Sequence, residues 1–124
     1  DAILIKDNHI AVCGGVKEAI RAGKAYAGHL VKIECEVTTL DQLKEALDER
    51  PDVILLDNMS PELLEKAVKI NEAQGDRKVV LEASGGISLK TIRAVAETGV
   101  DYISTSKITM AAPTLDVGLD VEVR

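Results

Sequence analysis

The chain has 124 residues, 46% of them hydrophobic but only two aromatic (Tyr26 and Tyr102), so it reads as one domain with an aliphatic core of Val, Ile, Leu and Ala. Its formal net charge of −6 argues against a nucleic-acid surface, which needs a basic patch to neutralise phosphates. No stretch approaches the roughly 20 apolar residues of a membrane span.

No signal peptide is visible either, and Cys13 and Cys35 lie far apart with no ligand spacing. Reduced thiols in a soluble, cytoplasmic protein are therefore expected, with no nucleic-acid or membrane partner.

The first strand is Ala2 to Ile5, and the chain starts inside it with no polar lead-in, which suggests a piece of something longer. A loop from Lys6 to Gly15 carries His9. A helix over Val16 to Tyr26 places Val16, Ala19, Ile20 and Gly23 on one face, with Gly28 as its stop. The second strand, Val31 to Val37, alternates apolar residues with Lys32, Glu34 and Glu36. A strand covered on both faces should be apolar on both. The charged face is therefore either the wet side of an edge strand or the lining of a barrel lumen, where Lys32 would pair with a neighbouring Glu and Glu36 would point to a ligand. Thr39 and Gln42 stand at capping-box spacing before a helix that runs to Glu49 and is stopped by Pro51.

The third strand, Val53 to Leu56, is continuously aliphatic and meets Asp57 and Asn58 at once. Ser60 and Pro61 read as N-cap and first position of a helix over Glu62 to Ala73, ended by Gly75. A fourth strand from Lys78 to Ala83 leads into the turn Ser84, Gly85, Gly86. Ser88 is expected to cap a helix from Leu89 to Thr98, with Gly99 after its C-terminus. The fifth strand is Val100 to Ser104, followed by the polar turn Ser104 to Lys107. From Leu115 to Val123 apolar residues alternate with polar ones and glycine, as a closing strand or an alternating coil.

Strands alternating with amphipathic helices imply an α/β fold of parallel βα units. Five such strands fit either part of a (β/α) barrel or a flavodoxin-like doubly wound sheet. Both architectures gather ligands beyond the carboxyl ends of the strands, where this chain sets Lys6, Glu36, Asp57, Ser84 and Ser104 to Ser106. The Ser84, Gly85, Gly86 turn resembles a phosphate cradle, because small residues let backbone N–H groups approach an anion. Lys6 is a further anion contact. Asp57 and Glu36 beside a phosphate call for a Mg²⁺ ion or a ribose hydroxyl as partner. No Ser/His/Asp arrangement points to a hydrolase, and His29 reads as structural.

Five segments carry a family resemblance: Leu4 to Ile10, Ile33 to Val37, Leu55 to Met59, Glu82 to Ile87 and Gly99 to Ser104. In this order they resemble nicotinate-nucleotide pyrophosphorylase (carboxylating), that is, quinolinate phosphoribosyltransferase. The resemblance covers essentially the whole chain. It implies an enzyme that joins quinolinate to 5-phosphoribosyl 1-pyrophosphate with Mg²⁺, releasing pyrophosphate and CO2 to give nicotinate mononucleotide for NAD synthesis. Lys6 would contact quinolinate. Glu36 and Asp57 would hold the ribose and its Mg²⁺ side and stabilise positive charge at the anomeric carbon. Ser84, Gly85, Gly86 and Ser106 would hold the 5′-phosphate. Residues 1–124 would then be a C-terminal portion of the barrel domain, without the N-terminal domain and first barrel strands, and inactive alone because members are homodimers or larger assemblies with shared sites. Ser106 and Met110 stand where many members carry Gly and His. The segment Asp52 to Pro61 also resembles the phosphoacceptor region of a response-regulator receiver, with Asp57 as acceptor and Ser84 and Lys107 on later strands. The first strand opposes that alternative, since it offers Lys6 where a receiver needs an acidic pair.

Overall fold

The structure, a computed structural model, describes residues 2–110. The tail from Leu115 to Val123 lies outside the described residues. The chain runs β1 (Ala2–Ile5), α1 (Asp7–Cys13), α2 (Val16–Tyr26), β2 (Lys32–Val37), α3 (Leu40–Glu49), β3 (Val53–Asp57), α4 (Pro61–Glu72), a 3-10 turn (Gly75–Arg77), β4 (Val80–Ser84), α5 (Ile92–Glu97), β5 (Tyr102–Ile103) and α6 (Lys107–Met110). All four strand pairings are parallel, and the order across the sheet is β1-β2-β3-β4-β5.

That order decides between the two expected architectures. A doubly wound sheet reverses direction at a switch point so that helices cover both faces. Here every crossover advances by one strand in the same direction, and right-handed connections then place the helices on one face. Helices α2, α3, α4 and α5 accordingly pack in succession, each on the next. This is the winding of a (β/α) barrel over five strands. The flavodoxin-like alternative, and the receiver reading that depends on it, are excluded.

The core fills the space between sheet and helices. Ile33, Cys35, Val37, Ile54, Leu56, Leu81 and Ala83 point to the helices and meet Ile20, Leu43, Ala46, Leu64 and Ala67. Aspartates tie successive units below the sheet: Asp52 accepts from the Ile33 N–H at 2.8 Å and Asp101 from the Leu81 N–H at 2.8 Å. On the outer surface Lys17 pairs with Asp48 at 2.7 Å and Arg21 with Glu49 at 2.6 Å, which joins α2 to α3.

Several local expectations are corrected. β2 lies between β1 and β3, so its charged face is not the wet side of an edge strand. It forms the inner face of the winding, the side away from the helices. Among the described residues Lys32 makes no ion pair, and Glu34 instead faces Glu82. The loop expected from Lys6 to Gly15 contains α1. Asp7 favours its positive end and Gly14, at φ 87°, closes it. With no fully buried residue, α1 leaves no apolar stripe in the sequence. Helix α5 begins at Ile92 rather than Leu89, because the Ser88 N–H donates to Thr91 Oγ1 at 2.9 Å and Thr91 N–H donates to the Ser88 carbonyl at 3.0 Å. That turn leaves Leu89 96% exposed. β5 is confined to Tyr102 and Ile103. The Thr39 cap forms, accepting from Gln42 N–H at 3.2 Å, but Gln42 Oε1 accepts from Thr38 N–H rather than closing the box on Thr39.

Candidate active site

The residues singled out in the sequence share one pleat face and one rim. Helix-facing side chains alternate with inner ones, so Glu34 and Glu36 on β2, Leu55 and Asp57 on β3, and Glu82 and Ser84 on β4 all turn away from the helices. The parallel register sets Glu36 beside Leu55, and Asp57 beside Ser84. Glu36 and Asp57 are thus diagonal neighbours on adjacent strands.

Lys6 follows β1 directly and reaches across to Glu36, Nζ to Oε2 at 3.3 Å. The lysine side chain is 52% exposed and that of Glu36 only 12%. The carboxylate is therefore committed and sheltered, while the ammonium keeps donors free for a second anion. His9 serves the backbone, its Nδ1 accepting from the Lys6 N–H at 3.0 Å. It orients the start of α1 and does not join the rim carboxylates.

The turn after β4 has two consecutive residues in the left-handed region, Gly85 at φ 89° and Gly86 at φ 65°. This conformation favours glycine strongly. It faces the turn after β5 across a cleft of about 380 Å³ lined by Ser84, Gly85, Gly86, Ser104, Ser106 and Lys107, among others. Thr105 fixes the spacing of the two turns by donating to the Ile87 carbonyl at 3.2 Å and accepting from the Lys107 N–H at 3.2 Å. An oxyanion in this cleft would meet hydroxyls, backbone and one ammonium. Asp57 stands beside the cleft through its register with Ser84, and its Oδ2 accepts from Asn58 Nδ2 at 2.8 Å.

Two inner carboxyls stand behind the rim. Glu34 has its Oε1 buried without a hydrogen-bond partner. Burial first, and the Glu82 carboxylate second, hold the Glu34 carboxyl above the ordinary glutamate range. Burial likewise pushes the Cys35 thiol up to about 11, with the Glu36 charge adding to it.

The structure therefore brings Ser84, Gly85, Gly86 and Ser106 into one cleft, joins Lys6 to Glu36, and sets Asp57 between the two groups. Sequence reasoning set Thr105 in the polar turn and Glu34 on the charged face of the second strand without giving either a role of its own, and gave Glu82 none. The parity of β4 with β2 carries the signal for the two glutamates, since each strand places Glu on the face opposite its aliphatic residues.

Residues 1–120 match the family described as "Quinolinate phosphoribosyl transferase, C-terminal domain". The chain belongs to this family. Two relatives similar to it carry the name probable nicotinate-nucleotide pyrophosphorylase (carboxylating). The Bacillus subtilis protein is 43% identical over 121 residues, and the Methanocaldococcus jannaschii protein 46% identical over 124. Each match covers 98% of this chain, but only 40% and 44% of the respective relative. The chain thus spans less than half the length of these curated relatives. A solved nicotinate-nucleotide pyrophosphorylase from Ehrlichia chaffeensis superposes with a TM-score of 0.81 at 43% identity, over 98% of this chain and 43% of that one. Among the described residues no helix is long and apolar enough to cross a membrane.

Proposed function

We propose that this chain supplies the phosphoribosyl-binding rim of an enzyme that transfers phosphoribose from 5-phosphoribosyl 1-pyrophosphate to quinolinate. The transfer releases pyrophosphate, and decarboxylation then gives nicotinate mononucleotide and CO2 in NAD biosynthesis. The observation that carries this reading is the register of Asp57 beside Ser84, which sets a carboxylate next to a paired-glycine turn. The family match supplies the reaction class.

The family resemblance suggests the roles, and the arrangement of the rim supports them. The 5′-phosphate sits in the cleft between Ser84 to Gly86 and Ser106, where hydroxyls and backbone N–H groups meet its oxygens. Asp57 faces the ribose. As pyrophosphate leaves, positive charge builds at the anomeric carbon, and Asp57 with Glu36 stabilises it. The quinolinate nitrogen takes the vacated bond. Lys6 holds a quinolinate carboxylate with donors that Glu36 does not occupy, and that pairing fixes where its ammonium points.

Mg²⁺ is the implied cofactor, and its fit is partial. Among the described residues no group of three or more His, Cys, Asp or Glu converges into a metal site. Mg²⁺ is commonly held by one or two carboxylates together with substrate phosphates. Asp57, with Glu36 less directly because Lys6 engages it, would hold the ion with the pyrophosphate of the substrate. There it would supply charge neutralisation of the leaving group. The enzyme works as a cytoplasmic homodimer or larger assembly in which a neighbouring subunit helps complete the site.

Calorimetric titration of the chain with phosphoribosyl pyrophosphate and Mg²⁺ tests this. The reading predicts binding that weakens at least about tenfold in Asp57→Asn. A folded chain that binds neither this ligand nor ribose 5-phosphate would overturn it.

A further inference from the structure

Among the described residues only two that are not glycine have positive φ, Arg50 at 49° and Asn58 at 53°. Arg50 is the C-cap of α3, a position where left-handed geometry is common. Asn58 caps no preceding helix. It follows Asp57 at the carboxyl end of β3, on the rim where the phosphoribosyl group is read to bind. Asparagine tolerates this conformation better than other side chains, but glycine would adopt it at lower cost. The asparagine side chain must therefore offset the backbone cost.

Its contacts show how. Nδ2 donates to Asp57 Oδ2 at 2.8 Å, and the backbone N–H donates to the Ser84 carbonyl at 2.9 Å. The amide orientation is fixed chemically, because a carboxylate only accepts and the NH2 end must face it. The side chain lies against the Cα of Gly85. A methyl group there would overlap Asn58 Oδ1 and stand 2.9 Å from its backbone nitrogen. One residue thus touches both parts of the rim, the carboxylate ending β3 and the glycine turn ending β4.

The geometry points to Asn58 as a positioning residue that holds the Asp57 carboxylate at a fixed angle and distance from the phosphate-binding turn. This inference rests on the phosphoribosyl reading of the rim. The choice of an amide is functional. A lysine or arginine would orient Asp57 equally well but would neutralise the negative charge that a cationic transition state needs. A neutral donor fixes Oδ2 and leaves the charge, and Oδ1, for the ligand. Gly85 serves the same arrangement from the other side, since its missing side chain is the space the amide occupies.

The test uses Asn58→Gly in the 124-residue chain. This variant keeps the left-handed backbone and the N–H bond to Ser84 and removes only the amide. We expect a melting temperature at or near the parent's, with ribose 5-phosphate affinity reduced about tenfold. Unchanged affinity in Asn58→Gly would reduce Asn58 to a turn residue and overturn the inference. A second arm needs no ligand: the Asn58 side-chain NH2 resonances of the parent should shift in Asp57→Ala. An NH2 signal indifferent to Asp57→Ala would also overturn the positioning role. A folded parent that binds neither ribose 5-phosphate nor phosphoribosyl pyrophosphate with Mg²⁺ would instead overturn the phosphoribosyl reading, with the resonance arm still deciding whether Asn58 holds Asp57.

Discussion

Replacing Gly85 by alanine probes the backbone of the cleft and its packing together. Gly85 has φ 89°, a conformation that costs an L-residue about 1–2 kcal/mol. The added methyl also meets the Asn58 amide. Moving that exposed amide breaks its bond to Asp57 and adds about 1 kcal/mol. The total is about 2–3 kcal/mol. Gly14 is the natural control, because its φ of 87° is nearly the same but a methyl there meets nothing within 4 Å. Gly14→Ala should lose only the conformational part, about 1–2 kcal/mol. In urea, with a slope of about 1.5 kcal/mol/M, the midpoint should fall by about 1.7 M for Gly85→Ala and about 1 M for Gly14→Ala. Adding Asn58→Gly to Gly85→Ala should recover part of the excess, as expected for residues in contact. Equal losses at the two glycines, with no recovery in the double variant, would refute the argument that Gly85 is glycine for the sake of Asn58.

Two further predictions concern the inner face and the thiols. A carboxyl held above its ordinary range binds its proton more tightly folded than unfolded, so the Glu34 contribution lowers stability as pH rises through and above the ordinary value of 4.5. Glu34→Gln should therefore be more stable than the parent at pH 7 in urea denaturation, with the difference vanishing below about pH 4. A difference that is the same at both pH values would show that packing, not ionisation, causes it. Cys13 is exposed and Cys35 buried, with the Cys35 thiol pushed up to about 11. One equivalent of an aromatic disulfide reagent should react at pH 8, and Cys13→Ser should abolish that reaction in the native chain. Native-state modification of Cys35 would show that the sheet–helix core opens readily.

The barrel-like winding was half legible. Alternating strands and amphipathic helices declare parallel βα units, because Val16, Ala19, Ile20 and Gly23 recur at helical spacing while Ile33, Cys35 and Val37 alternate. Strand order is a different matter. It depends on which strand pairs with which, and no local pattern distinguishes a β1-β2 pairing from the switched order of a doubly wound sheet. The charged face of β2 held the best clue, since Glu34 and Glu36 fit an inner lining and fit a helix-covered face poorly. α1 was hidden because a seven-residue helix with no fully buried side chain has no stripe to read. α5 was misplaced because Ser88 and Thr91 are both good capping residues, and only their mutual hydrogen bonding shows that Ile92 comes first. At the site, residue types at strand ends located Lys6, Glu36, Asp57 and the Ser84 turn. The Lys6–Glu36 pair and the Asn58 contact across to Gly85 depend on side-chain direction and backbone sign, which sequence does not display.

The most direct test of the central claim is a backbone amide shift map of the chain titrated with phosphoribosyl pyrophosphate and Mg²⁺. The account predicts changes concentrated at Ser84, Gly85, Gly86 and Ser106, with a second set at Asp57 and Asn58. Changes confined to the helical face, or none in a chain that stays folded, would contradict a phosphoribosyl site on this rim.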